Sequence, residues 1–319
     1  MIDDRIPDWW TEDAMSRNNP SRRPRRFDGH AAAAFVPVVA LVPAWLAAIW
    51  PLWWVVDVVQ PVSYLVFAAS MLAAGTLLFA RPVQRLVLTR LLGARTPTAD
   101  ETQVLGRAWR VVAQATHVPA RRYVLAVIDS DELNAFASGG HLVIVSSWAV
   151  ENLAHDELCG VLAHELSHHL GMHTVALTIG QWLTLPIVLL ARIGLLLQNI
   201  ADAAAGTLTT RSSAGDLAGR TIAGLLTIVS WIFLAAITVS QQIGNILGKG
   251  AEFKADESVI AMGFGRELRA ALAIVVADGR GERARGWRER MLTAHPPART
   301  RIARIDARLR ASTRRPRPD

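Results

Sequence analysis

Long apolar runs constrain the fold of this chain more than any other feature of its sequence. Residues 31–56 carry no charge and end at Asp57, and residues 61–80 form a second such run that ends at Arg81. Each run reaches the roughly 20 residues that a helix needs to cross a bilayer. Such runs tolerate interior prolines in membranes, and tryptophans at one end fit an interfacial belt. The two apolar runs together predict a transmembrane hairpin. Its interior prolines are residues 37, 43 and 51, and the tryptophans that fit an interfacial belt are residues 45, 50, 53 and 54.

Two later apolar runs, residues 174–191 and 221–240, predict a second membrane hairpin. Both are near the lower length limit for a span, and Pro186 interrupts the first of them. A buried helical hairpin in a soluble core is the alternative. We favour membrane spans because a soluble domain would need much more chain to bury both runs.

Arginines orient the first hairpin. They flank its two ends, whereas its turn at residues 57–60 has no positive charge. The positive-inside rule therefore predicts a multi-pass protein of the cell (inner or plasma) membrane, with both termini, and any active site on the domain that follows Arg81, in the cytoplasm. The flanking residues are Arg22, Arg23, Arg25, Arg26, Arg81, Arg85, Arg90 and Arg95.

The strongly basic composition, with a net charge of +7, could indicate nucleic-acid binding. The basic residues, however, lie beside the apolar runs, where they would meet anionic lipid headgroups, so we predict a lipid bilayer and no nucleic acid as partner. Cys159 is the only cysteine, which excludes an intrachain disulfide and argues against a cysteine-based metal site.

Between the two hairpins the pattern predicts a mixed domain. An amphipathic helix covers residues 100–118, strands cover 123–128 and 141–145, and a small-residue loop covers 134–140. The fold class is therefore α+β and mostly helical, with a small sheet and about four transmembrane helices. The predicted organisation is a disordered tail (1–30), a membrane hairpin (31–80), the first part of the mixed domain (81–173), a second hairpin (174–240), the second part of that domain (241–311) and a disordered tail (312–319).

The motif His164-Glu165-Leu166-Ser167-His168 lies in a helical pattern with leucines at four-residue spacing. Residues four apart share one helix face, so both imidazoles can reach a single metal ion. Glu165 stands beside the first histidine, from where its carboxylate can accept a proton from water without becoming a ligand. Taken alone, the motif could also belong to a core helix that happens to carry histidines.

A catalytic zinc takes three protein ligands and keeps one open position. Glu252 is the best candidate for the third ligand, and Asp256, on the same helix face, would hydrogen-bond the far nitrogen of a ligand histidine. The alternative for both is a solvated acidic helix face. The competing histidines, each of which fits a structural or surface role better, are His141, His155, His169 and His173.

Five stretches together resemble the HtpX-type membrane zinc endopeptidases, relatives of the CAAX prenyl endopeptidases. The resemblance covers roughly residues 31–310. It implies a gluzincin fold with one zinc ion held by His164, His168 and Glu252, and Glu165 as general base. The stretches are Asn134-Ala-Phe-Ala137, the strand 141–145, the helix with the His164 motif, Glu252-Phe-Lys-Ala-Asp256 and His295-Pro-Pro-Ala-Arg-Thr-Arg-Ile302.

The resemblance also implies roles for residues outside the ligand set. Asn134 and Ala135 would lie on or beside an edge strand that pairs with an extended substrate, which agrees with the physics of strand addition. His295 would stand near the developing oxyanion, and Arg301 would support the active-site helices. Many relatives have Gly where this chain has Ser167, a small change that should leave the ligands undisturbed. The CAAX enzymes have more membrane spans around a large chamber, so we expect no prenylated substrates here.

We therefore expect an integral membrane zinc endopeptidase that acts in membrane protein quality control on protein or peptide substrates. No oligomeric state is predicted. The alternatives are a catalytically silent membrane scaffold and a metal-binding membrane protein such as a transporter. A transporter would need ionisable residues inside its spans, and the apolar runs contain almost none. The intact Glu165 and the complete ligand set count against a silent scaffold.

Overall fold

The structure, a computed structural model, describes residues 34–207, 248–279 and 296–313, with isolated helical positions between 221 and 238. The predicted tails lie outside these ranges, apart from residues 312 and 313, which end a helix. Most of the fourth apolar run lies outside them as well. Its described apolar positions are exposed, among them Leu225, Ile228 and Trp231.

Two described helices are long and apolar enough to cross a membrane. Helix α1 (Val36–Val59) contains Pro43 and Pro51 in its interior, and α7 (His173–Thr207) contains the apolar segment His173–Leu196. The second predicted run is shorter as a regular helix. It forms α2 (Tyr64–Gly75) and a 3-10 turn (Thr76–Phe79), and then bends by 69° into α3 (Arg81–Leu91). If that bent pair of helices forms one span, the described residues contain three candidate membrane spans.

Helices α1, α2 and α7 pack through one shared apolar cluster that includes Leu41, Ile49 and Leu183. Trp182 fixes α2 against α7, because its indole Nε1 donates to the Met71 carbonyl at 3.0 Å. Trp45 is buried in this cluster, not placed in an interfacial belt, whereas Trp50 is exposed. The opposite faces of these helices expose many apolar side chains, as expected for surfaces that meet lipid.

A four-stranded sheet has the order β1 (Ala94–Arg95), β2 (Val124–Ile128), β4 (Leu142–Ser146), β3 (Ala135–Ser138). Strands β2 and β4 are parallel, and the other two pairs are antiparallel. Strand β4 is wholly buried and β3 lies at the edge of the sheet. The prediction of a loop at 134–140 is therefore wrong for β3, whose pairing with β4 overrides its weak strand propensity.

Helices surround one face of the sheet and form the main core. They are α4 (Ala99–Ala115), α5 (Ser147–Asn152), α6 (His155–Leu170), α8 (residues 248–261), α9 (Gly265–Ala277) and α10 (Ala298–Thr313). Helices α6 and α9 cross in close contact at Gly160, where an added Cβ would lie 2.3 Å from the Leu268 nitrogen. Any side chain at 160 would push these two helices apart.

The start of α4 is stabilised by an ion pair and a capping box. Arg95 contacts both carboxylate oxygens of Glu101, at 2.7 and 2.8 Å, and the Glu101 carboxylate also accepts from the Thr98 backbone nitrogen. The Arg95 hydrogen bonds lower the pKa of Glu101 from 4.5 to about 2. The charged form of Glu101 therefore stabilises the fold above its ordinary pKa.

We expect Glu101→Gln to lower the unfolding midpoint at neutral pH, and the difference from the parent to shrink as the pH falls from 4.5 to about 2. The sign follows because the folded pKa lies below the unfolded one, so the stabilisation is lost as the carboxylate is protonated. The measurement is thermal unfolding of both proteins across this pH range. Glu151→Gln, at an exposed position of α5, serves as the control, and a Glu101→Gln offset that did not depend on pH would contradict the prediction.

Candidate metal centre

Helix α6 passes through the centre of the domain and carries the motif. Leu158, Leu162 and Leu166 are fully buried, as the four-residue spacing predicted. This apolar stripe fixes the rotation of the helix, so the opposite positions face α8 and α10. His164 and Glu165 are both buried, and His168 is partly exposed.

The third predicted ligand meets these two histidines. The Nε2 atoms of His164 and His168 lie 3.3 Å apart, and the two Glu252 carboxylate oxygens lie 3.2 and 3.0 Å from them. Three ligand atoms, one from each residue, lie within 4.8 Å of one another. The structure thus brings together residues that are 88 positions apart in sequence.

These donors fit a zinc ion. Two imidazole nitrogens and a carboxylate are an accepted catalytic set, and tetrahedral ligands at about 2.0–2.1 Å from zinc lie roughly 3.3 Å from each other. The Nε2–Nε2 distance has that value. In addition, the buried Glu165 Oε2 has no hydrogen-bond partner among the described residues. The missing hydrogen bond of Glu165 Oε2 is explained if a ligand such as a metal-associated water binds beside the cluster.

Asp256 and Arg301 contact the ligand residues and hold them in position. Asp256 Oδ1 lies 3.2 Å from His164 Nδ1, so Nδ1–H can donate to it and leave the Nε2 lone pair for a metal. Arg301 donates to both Asp256 oxygens, at 2.6 and 3.0 Å, and lies 3.8 Å from Glu252. Both side chains are buried. They join α8 and α10 to the motif helix.

The electrostatics of the cluster favour a cation. Burial lowers the pKa of His164, but hydrogen bonds to Asp256 and Glu252 outweigh burial and raise this pKa to about 9. Burial raises the pKa of Asp256, yet the hydrogen bonds from His164 and Arg301 reverse the shift and lower it. The carboxylates that hold a proton on His164 would equally hold a metal ion, which competes with that proton.

The model of peptidase family M48 matches residues 99–309, which is more than half of the chain and contains the whole cluster. The chain belongs to peptidase family M48. It is therefore a metallopeptidase, and its apolar helices make it a membrane protein. The resemblance stated from its motifs and the α+β, mostly helical fold class are confirmed.

Named relatives of this M48 chain agree with that assignment. The chain is 27% identical to the protease HtpX of Xylella fastidiosa (strain 9a5c) over 256 residues, covering 71% of this chain and 83% of that protein. It is 30% identical to the protease HtpX of Shewanella frigidimarina (strain NCIMB 400) over 169 residues, or 51% and 55% of the two chains. A crystal structure of S. mikatae Ste24p matches with a TM-score of 0.44 and 15% identity, covering 86% of this chain and 64% of that one.

The remaining predicted site residues of the M48 domain are placed as follows. Asn134 immediately precedes β3, and its backbone pairs with Ser146 through the Ser146 nitrogen at 2.8 Å and the Ser146 hydroxyl at 3.1 Å. Ala135 is the first residue of β3 and lies opposite Val145. No described strand pairs with the outer edge of β3. His295 lies outside the described residues.

Two neighbours of the ligands have structural roles. His169 Nε2 bonds the Leu142 carbonyl at 3.1 Å and Nδ1 bonds the Thr174 hydroxyl at 3.2 Å, which joins α6 to β4 and α7. Burial lowers the pKa of His169 to about 3, so this histidine is neutral. Cys159 is buried in the core, and burial raises the pKa of its thiol to about 11.

Two contacts of the domain were missed from the sequence. Both are buried polar side chains that bind the β3–β4 turn, Thr178 from the third apolar run and Gln84 from its position between Arg81 and Arg85. The π-helical turn that turns it inward, Gln84–Leu88, has no recognisable sequence pattern.

Proposed function

We propose that this chain is an integral membrane zinc endopeptidase, with His164, His168 and Glu252 as zinc ligands and Glu165 as general base. The observation that carries the proposal is the convergence of three ligand atoms beside a buried carboxylate oxygen of Glu165 that has no hydrogen-bond partner among the described residues. Histidine, histidine and glutamate form a known catalytic zinc set that leaves one position open for water or substrate.

The formal charges support a divalent ion. Glu165, Glu252 and Asp256 contribute three negative charges and Arg301 one positive charge, while ligand histidines must be neutral. Buried charges are tolerated when they are compensated. A divalent cation balances the remaining two negative charges.

When bound, zinc supplies a Lewis acid that polarises the scissile carbonyl and lowers the pKa of water. Glu165 accepts a proton on its unpartnered oxygen and later donates it to the leaving amine. Asp256 holds the tautomer and ring orientation of His164, and Arg301 holds Asp256 in place. His295, by resemblance, stabilises the developing oxyanion.

The substrate is a protein or peptide segment that adds to the outer edge of β3, next to Asn134 and Ala135. Main-chain hydrogen bonds then give affinity with little dependence on sequence. This mode suits exposed or misfolded segments of membrane proteins, the substrate class expected for quality control.

The proposed topology is multi-pass, with the active site at the cytoplasmic face. The exposed side chains of α3 include Arg81, Arg85 and Arg90. Leu86, which lies between two of these arginines, and Leu91, which follows the last of them, are exposed as well. The other face of α3 is buried through Gln84 and Leu88. Such a helix can pack on the domain and at the same time lie along an anionic inner leaflet.

Metal content tests the proposal. We expect about one zinc ion per purified chain, and Glu252→Gln should lower zinc affinity at least about 100-fold and abolish peptide cleavage, because it removes a ligand charge. Glu257→Gln is the matched control, since Glu257 is on the same helix but exposed and paired with Arg308 at 2.5 Å. Chelation should remove the activity and added zinc should restore it. Equal zinc affinity in the parent and Glu252→Gln would overturn the ligand set.

A further inference from the structure

The turn that joins β3 to β4 is held from outside the sheet. The Gly139 backbone nitrogen donates to the Thr178 hydroxyl at 3.1 Å, and the Gly139 carbonyl accepts from Gln84 Nε2. Thr178 lies on the candidate span α7, and Gln84 lies on α3, directly after the bend that follows α2. Both peptide groups of one turn residue are therefore bound by side chains from membrane-linked helices.

The Gln84 amide can bind the turn in one orientation only. Its Nε2 also donates to the Leu78 carbonyl at 3.1 Å, so both of its neighbours are acceptors. The side chain is 0% exposed, and its Oε1 has no partner within the part of the chain that the structure describes. An unpaired buried acceptor is destabilising, and the two bonds that Nε2 donates offset this cost.

Gly139 is fitted to these two side chains. Its φ of +63° is unfavourable for other residues, and an added Cβ would lie 2.6 Å from Gln84 Nε2. Thr178 is likewise fully engaged, because its hydroxyl donates to the Thr174 carbonyl at 2.8 Å while it accepts from Gly139. The contact is thus a specific clamp on the turn, formed by Gln84 and Thr178.

We infer that Gln84 and Thr178 are positioning residues that hold the substrate-binding edge strand in its productive position; this inference rests on the proposed function of β3. Strand β3 has only four residues and pairs along one side, with β4. Its first end is held by the Asn134–Ser146 bonds, and its second end by the clamp on Gly139. A strand fixed at both ends accepts a substrate strand without first losing its own conformational entropy.

The test uses the full chain in detergent and three variants on α7. Thr178→Val removes the hydroxyl that binds the turn, and Thr178→Ser keeps it. Thr184→Val is the matched control, because the Thr184 hydroxyl bonds only the Gly180 carbonyl of its own helix, at 2.7 Å. Gln84→Met provides an independent removal of the second contact. The readouts are amide hydrogen exchange across residues 135–140 without substrate, and KM and kcat on an extended peptide.

We expect Thr178→Val and Gln84→Met to raise exchange in this segment and to raise KM about three- to tenfold, the loss of roughly one hydrogen bond, with kcat within about twofold. Thr178→Ser and Thr184→Val should match the parent. Unchanged exchange or KM in Thr178→Val, or an equal effect of Thr184→Val, would overturn the inference. If the parent binds zinc but cleaves no peptide, the substrate role fails with the proposed function, and hydrogen exchange still decides whether the clamp holds the turn.

Discussion

Replacing Glu165 with Gln is expected to lower kcat/KM for peptide hydrolysis by on the order of 10²–10⁴-fold while the protein keeps its zinc. Gln has almost the same shape, so the packing of this buried position is preserved. Its amide cannot accept the proton that the unpartnered Oε2 would take. Glu165 is not one of the three clustered ligands, so the metal content should not change.

Glu267→Gln is the matched control for this experiment. Glu267 also has a buried carboxylate oxygen that lacks a partner among the described residues, but it lies in the first turn of α9 and outside the cluster. We expect Glu267→Gln to cleave peptides at the rate of the parent. Equal cleavage by the parent and Glu165→Gln would remove Glu165 from the mechanism, and loss of zinc from Glu165→Gln would make it a ligand.

Replacing Arg301 with Met is expected to lower the free energy of unfolding by about 3–5 kcal/mol. The change removes the guanidinium that binds both oxygens of Asp256 and lies near Glu252, so two buried carboxylates lose a cationic partner and share His164 alone. The measurement is denaturant unfolding of the metal-free proteins in one detergent, since bound zinc would add stability of its own.

Arg269→Met is the corresponding control for Arg301. Arg269 pairs with Asp306 at 2.9 Å, but its side chain is 45% exposed, and exposed ion pairs contribute little to stability. A double variant with Asp256→Asn should lose less stability than the sum of the two single changes, because the uncompensated charge is removed together with its partner. If Arg301→Met cost no more than Arg269→Met, the buried network would have no special stabilising role.

The chemistry of the site could be predicted further than its architecture. The helical repeat predicts His164, Glu165 and His168 as a metal-binding motif. Glu252, with Asp256 one turn later, is the best candidate for the third ligand that a catalytic zinc takes, and the resemblance implies the same set, which stays a prediction. These inferences depend on local spacing and on the known preferences of a metal. None of them required a tertiary contact to be known.

Features that depend on tertiary contacts could not be predicted. Strand β3 has Ala, Phe, Ala and Ser, without β-branched residues, so the expectation of an edge strand beside Asn134 and Ala135 came from the resemblance alone and not from the local pattern. The apolar run 61–80 gives no sign of its bend at Arg81, since hydropathy records composition and not direction. The role of Gln84 depends on a partner 55 positions away in sequence.

The separation of the ligands along the chain has a consequence for biosynthesis. On the proposed ligand set, a nascent polypeptide that has emerged only as far as His168 carries the general base and both imidazoles but no carboxylate to complete the metal site. Glu252 follows after a long apolar segment, and Arg301 emerges later still. A nascent chain of this length should therefore be unable to cleave neighbouring proteins. Proteolytic activity would begin only after Glu252 and Arg301 have emerged from the ribosome.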